Sequence, residues 1–111
     1  MFEDDKIRLK HILDAAREAV SFTEDRSRED LDSDRKLNLS LVRLLEIIGE
    51  AARGITEEFR QDHTELPWKS MAGMRDRLIH GYFDVNFDVV WETVTNDLPP
   101  LIDKLEKIVT D

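Results

Sequence analysis

Apolar residues recur at the three-and-four spacing of α-helices along almost the whole chain. Phe2, Leu9, Ile12, Leu13, Ala16, Ala19 and Val20 gather on one stripe, with Lys, Arg, Glu and Asp elsewhere, which predicts an amphipathic helix from Asp4 to about Asp25. The charged stretch from Asp25 to Asp34 interrupts this pattern, and Ser27 with Asp30 three residues later signals the start of a short turn. From about Asp34 to Gly54 a second helix carries Leu37, Leu41, Leu44, Leu45, Ile48, Ala51, Ala52 and Ile55 along one side. Leu39, Val42 and Ile47 widen that stripe beyond what one neighbour requires, so this helix is expected at the centre of the fold.

Beyond Gly54 the segments shorten. Thr56-Glu57-Glu58-Phe59 reads as an N-cap followed by acidic residues in a first turn. After a loop through His63 and Leu66, Pro67 suits the first position of a helix whose apolar side is Trp68, Met71, Leu78 and Ile79. Asn86 caps a further helix from Phe87 to about Leu98, with Val89, Val90, Trp91 and Val94 inside it. Pro99-Pro100 is expected to break or kink that helix, because proline lacks the amide donor and clashes with the preceding turn. Leu101, Ile102, Leu105 and Ile108 continue a last amphipathic segment. No alternating run long enough for a strand, no internal repeat and no low-complexity tract is present. The pattern predicts an all-α protein, an up-and-down bundle of four to five helices, with residues 1–111 forming a single domain.

Charge narrows the partners. The net charge of -9 argues against a broad basic face, since non-specific binding to a polyanion rests on neutralising phosphates with Lys and Arg. RNA would have to be met by a local cluster such as Lys69, Arg75 and Arg77, or be presented by a partner; an acidic chain also suits basic protein partners. The absence of cysteine excludes disulfides, zinc-thiolate centres and thiol nucleophiles. The opening Met1-Phe2-Glu3-Asp4-Asp5 is acidic and unlike a signal peptide, and no segment approaches the roughly 18 apolar residues of a membrane span, so a soluble, cytoplasmic protein is expected. His11 and His63 lack companions at metal-ligand spacing and read as surface residues, and no metal or cofactor is expected. Trp68 and Trp91 read as core or interface anchors, and the acidic runs Glu3-Asp4-Asp5 and Glu24-Asp25 as solvated faces or caps.

The stretch Arg75-Asp76-Arg77-Leu78-Ile79-His80-Gly81-Tyr82 carries the chemistry. Arg75 offers a planar, permanent cation for phosphate oxygens, and His80 an imidazole able to exchange a proton near neutral pH. Arg75 interrupts an apolar stripe, so it needs an anionic ligand or a carboxylate, for which Glu46 and Glu50 are the nearest candidates. On a regular helix, at roughly 100° per residue, Arg75 and His80 lie about 140° apart. Either the helix loosens before Gly81, or a second copy completes the site across a two-fold axis; the second is preferred. The plainer reading pairs Arg75 with a carboxylate and leaves His80 and Tyr82 as ordinary helix-end residues.

The run from Leu66-Pro67-Trp68 through Arg75, His80, Tyr82 and Phe83, the segment Val89-Val90-Trp91-Glu92-Thr93-Val94, Asp97-Leu98-Pro99, and the central Arg43-Leu44-Leu45-Glu46-Ile47-Ile48-Gly49-Glu50 closely resemble the HepT-like branch of the HEPN superfamily. The resemblance covers nearly the whole chain. It implies a helical homodimer whose two Arg-x4-His motifs meet in one cleft and act as a metal-independent endoribonuclease toxin. It also implies a nucleotidyltransferase antitoxin that attaches AMP to the motif tyrosine. Carried onto this sequence, Arg75 would stabilise the scissile phosphate, His80 would transfer protons and Tyr82 would accept AMP. Asp76 stands where the family often has Asn, could orient a cation, and adds negative charge beside an RNA phosphate. Two other readings stay open: a non-catalytic partner of a nucleotidyltransferase, and a plain helical dimerisation module.

Overall fold

The computed structural model describes residues 3–79 and 84–109. Two long helices, α1 (Glu3–Thr23) and α3 (Arg35–Gly54), form its frame, packed along their lengths with the start of α1 beside the end of α3. Leu9, Ile12, Ala16 and Ala19 of α1 and Leu41, Leu45, Ile48 and Ala52 of α3 are almost wholly shielded, as the stripes require. Burying a Leu or Ile side chain contributes about 1.5–3 kcal/mol, so this helix pair holds much of the fold's hydrophobic stabilisation.

Between them the chain turns through Asp25, which adopts a left-handed backbone (φ 60°) that aspartate tolerates better than most residues. The short α2 (Asp30–Ser33) follows. The Ser27 amide donates to the Asp30 carboxylate at 2.8 Å, realising the start signal read from the sequence, and Asp34 caps α3 by accepting from the Leu37 amide at 3.1 Å. Arg26 ties both acids together, at 3.2 Å to Asp30 and 2.7 Å to Asp34.

Asp5 departs from the solvated acidic face expected of it. It is fully buried and accepts from the Thr56 amide at 2.9 Å and the Thr56 hydroxyl at 2.6 Å. Thr56 in turn caps α4 (Glu57–Asp62) by accepting from the Phe59 amide. A carboxylate at the first turn of α1 thereby fixes where α4 begins, and its burial is compensated by two donors.

The helix expected to run on from Pro67 is broken in two at Gly73, into α5 (Trp68–Ala72) and α6 (Met74–Leu78). Gly73 lies near φ -89°, ψ 6°, outside the α-helical well, and its amide closes α5 onto the Lys69 carbonyl at 3.0 Å. Met71 and Met74, on either side of the break, are both buried.

Pro99-Pro100 neither breaks nor ends its helix. α7 (Phe87–Glu92) passes into a π-helical turn, Thr93–Asp97, and then directly into α8 (Leu98–Val109). The Leu98 amide reaches back five residues to the Thr93 carbonyl, and this wider turn accommodates two rings that an α-turn would clash with. The sequence expectation of an all-α protein holds among the described residues, where the one departure is an isolated antiparallel bridge between Ile79 and Val85. The eight α-helical segments among the described residues exceed the expected four to five because the Pro67 helix splits and because α2 and α4 are short additional helices.

Candidate active site

α6 presents Arg75 to solvent on the flank of α3. The side chain is 52% exposed, and its Nε lies 3.4 Å from Glu46 Oε2. Glu46 is therefore the carboxylate partner, while Glu50, the other candidate, sits 3.7 Å from Arg43. Among the described residues the outer guanidinium nitrogens of Arg75 make no hydrogen bond, so the fork that would grip a phosphate stays open.

Three contacts hold α5 and α6 against α3. Gly49 brings the α3 backbone so close to α5 that a Cβ there would lie 3.2 Å from the Met71 carbonyl oxygen. One turn later, Arg53 Nε donates to the Ala72 carbonyl at 3.0 Å, satisfying an orphan acceptor at the end of α5. Arg53 Nη2 also lies 3.4 Å from Asp76 Oδ2. Asp76 thus orients a cation, as the sequence reading allowed, and that cation is Arg53 of its own chain.

Arg75 and Glu46 line an open groove of about 640 Å³, together with Val42, Ile79, Asp84 and Phe87. Leu39, at its edge, is 51% exposed. His80 and Tyr82 lie outside the described residues. The chain on either side of them is fixed: Ile79 pairs with Val85, and the Asn86 amide donates to the Leu78 carbonyl at 2.7 Å. α6 ends at Leu78, and Ile79 is extended (φ -118°, ψ 117°). The 140° separation calculated for a regular helix therefore does not extend to His80; the helix loosens earlier than Gly81.

The remaining candidates separate. His11 is exposed, as expected, in an open groove between α1 and α3 that Ile47 and Glu50 also line. His63 is a surface residue with partners: it stacks on Phe59 at 4.3 Å, its Nδ1 lies 3.1 Å from Glu65, and its carbonyl accepts from Trp68 Nε1 at 2.8 Å. Trp68 packs edge-on against Phe59 at 5.9 Å and is a core anchor, as its stripe predicted. Glu65 titrates below its ordinary range, chiefly through its own backbone amide and then through His63. Among the described residues no group of three His, Cys, Asp or Glu side chains could hold a metal ion, and no helix is long and apolar enough to cross a membrane.

An arginine with an open fork on a short helix packed against α3, beside a groove bounded by the two ends of the His80–Tyr82 stretch, is an arrangement the comparisons with known proteins extend. The Ribonuclease HepT-like family matches residues 12–108, and the chain belongs to that family. Among individual proteins it is 44% identical over 100 residues to "Probable ribonuclease HepT" of Thermococcus cleftensis, covering 90% of this chain and 91% of the relative. It is 43% identical over 101 residues to a protein provisionally named an RNase from Caldanaerobacter subterraneus subsp. tengcongensis, covering 91% and 90%. A Methanocaldococcus jannaschii protein, named as a gamma-glutamylcyclotransferase combined with a provisional RNase, is 38% identical across all of this chain, which spans 50% of it. No solved structure gives a significant match.

Proposed function

We propose that this protein is a metal-independent endoribonuclease, a cytoplasmic toxin whose active cleft forms where two copies bring their Arg75 grooves together. The observation that carries the reading is the groove itself. It gathers the open guanidinium of Arg75 with Ile79 and Asp84, the described residues that bracket His80 and Tyr82. The exposed Leu39 and the partly covered Val42, Val85 and Phe87 give the same groove an apolar border that a second copy would cover.

The chemistry needs only these side chains. The imidazole of one His80 takes the proton of the ribose 2′-hydroxyl. The freed oxygen attacks the adjacent phosphorus, forming a 2′,3′-cyclic phosphate as the bond to the 5′-oxygen breaks. A second, protonated His80 from the other copy gives the leaving oxygen its proton. Arg75 meets the negative charge that grows on the phosphoryl oxygens with the outer nitrogens that Glu46 leaves open. The pair with Glu46 through Nε holds the guanidinium at the edge of the groove without occupying that fork. Asp76, held by Arg53, acts as a support for α6.

Control would come from a nucleotidyltransferase antitoxin that joins the Tyr82 phenolic oxygen to the α-phosphorus of ATP, releasing pyrophosphate. The AMP group would place a bulky anion beside Arg75, excluding RNA by occupancy and by like charge. The pairing of Arg75 with Glu46 also favours a second reading, in which the chain is a non-catalytic partner of such an enzyme.

RNA cleavage by unmodified protein in EDTA, with an equally assembled His80→Ala variant alongside, separates the two. Cleavage by the parent alone is expected. No cleavage by either, with an intact mass showing Tyr82 free of AMP, would leave the non-catalytic reading in its place.

A further inference from the structure

A second cavity, of about 280 Å³, opens between α5 and α6 on one side and the π-helical turn with α8 on the other. It shares no lining residue with the Arg75 groove. Arg77, two residues beyond Arg75 and so roughly 200° further around the helix, lines it. The cavity walls include Met71, Met74 and Leu98, each at most 3% exposed.

Its charged groups are arranged by sign. Arg77 Nη2 donates to the Ser70 carbonyl at 3.2 Å, and Lys104 Nζ to the Glu65 carbonyl at 3.2 Å. Neutral carbonyls thus hold both cations, and neither forms an ion pair within 4.0 Å among the described residues. Asp97 also lines the cavity, seven residues before Lys104 on the same continuous helix. Seven residues return to nearly the same helical face about 10 Å further along. An acceptor therefore stands at one end, a cation at the other, and apolar surface between them.

We propose that this cavity binds a nucleoside monophosphate moiety, guanosine in preference to other bases. The order of groups in the ligand matches that of the wall. Guanine presents N1–H and N2–H side by side, the pair of donors that a carboxylate accepts and that other nucleobases do not offer together. Its flat ring packs on Pro67 and Pro100, the exposed apolar residues of the wall, just above the buried Met71 and Met74. The phosphate meets Arg77 and Lys104. The moiety comes either from a free nucleotide or from one residue of a bound RNA strand; only the second source rests on the ribonuclease reading.

The methionine methyls report the site without any cleavage. In protein labelled with ¹³C at the methionine methyls, GMP is expected to shift the Met71 and Met74 signals to saturation, with Met1 supplying the third signal for reference. Inorganic phosphate is expected not to reproduce these shifts. Arg77→Gln should weaken GMP by about tenfold, the loss expected for one charged hydrogen bond. Asp97→Asn should remove the preference for GMP over inosine monophosphate, which lacks the N2 amine. A guanosine-containing 2′-O-methyl oligonucleotide, unable to attack its own phosphate, distinguishes the sources. Tighter binding than GMP assigns the cavity to a strand, and weaker binding assigns it to the free nucleotide. No Met71 or Met74 shift with either probe, or GMP affinity unchanged in both variants, would overturn the proposal. Should Arg75→Ala and His80→Ala cleave RNA like the parent, the ribonuclease reading would fail while the methyl shifts stood.

Discussion

The α1–α3 pair and the α5–α6 pair are built on opposite terms. The first consists of helices of 21 and 20 residues, each with an unbroken apolar stripe. The second consists of two helices of five residues, separated by a glycine and held to α3 by one close backbone approach and one arginine. Stability is concentrated in the first pair, and the candidate site is carried by the second. Short helices are marginal on their own, so the geometry around Arg75 is borrowed from α3. The site can then keep an exposed charge and an open groove without the fold depending on either.

Core deletion in the frame should have the largest effect. Ile48→Ala on α3 is expected to lose about 2–5 kcal/mol in urea unfolding, since the side chain is fully buried and its cavity cannot fill with water. Asp5→Ala comes next: it leaves the Thr56 amide and hydroxyl without their acceptor, a loss of about 1–3 kcal/mol by the same measurement. Arg75→Ala should change stability by less than about 1 kcal/mol while eliminating RNA cleavage. A loss as large as that of Ile48→Ala would show that the two pairs are not divided in this way.

The smallest effect is acidic. Asp34 titrates below its ordinary 3.8 through its bonds to Arg26 and then the Leu37 amide, and Asp30 does so through the Ser27 amide and then Arg26. Because their folded values lie below the unfolded ones, their stabilisation is complete above about pH 3.8 and is lost as pH falls through the lower folded values. Urea midpoints measured across that range should decline, and Asp34→Asn, which keeps a capping side chain, should flatten the decline.

Much of this was legible in the sequence because local rules acted alone. Thr56 and Asn86 cap the helices they were read to cap, the second helix starts beside Asp34 as read, and Glu46 meets Arg75. The failures share a cause, which is a partner distant in sequence. Asp5 looked like part of a solvated acidic run, since nothing nearby reveals that Thr56, 51 residues away, will meet it. The stack of the surface residue His63 on Phe59 was not legible either, because it needs the short α4 to end where it does. The signal for the break at Gly73 was the glycine itself, passed over because Met71 and Leu78 lie seven residues apart and satisfy a continuous helix. Arg53 gave no sign of its role at all, since an exposed arginine near a helix end has many possible partners.

The π-helical turn also keeps two stretches of chain in phase. Val90, Val94, Leu98, Leu101 and Leu105 are all buried, and the first two steps between them are four residues each. On an α-helix two such steps drift by about 80°, enough to rotate Leu98 off the face that Val90 occupies. A turn holding one extra residue absorbs the drift. Removing a single residue between Thr93 and Asp97 would therefore leave the register of α8 against the core almost unchanged, since Val90 and Leu98 would then stand seven residues apart on one α-helical face, and would remove instead the wider turn that accommodates the two proline rings.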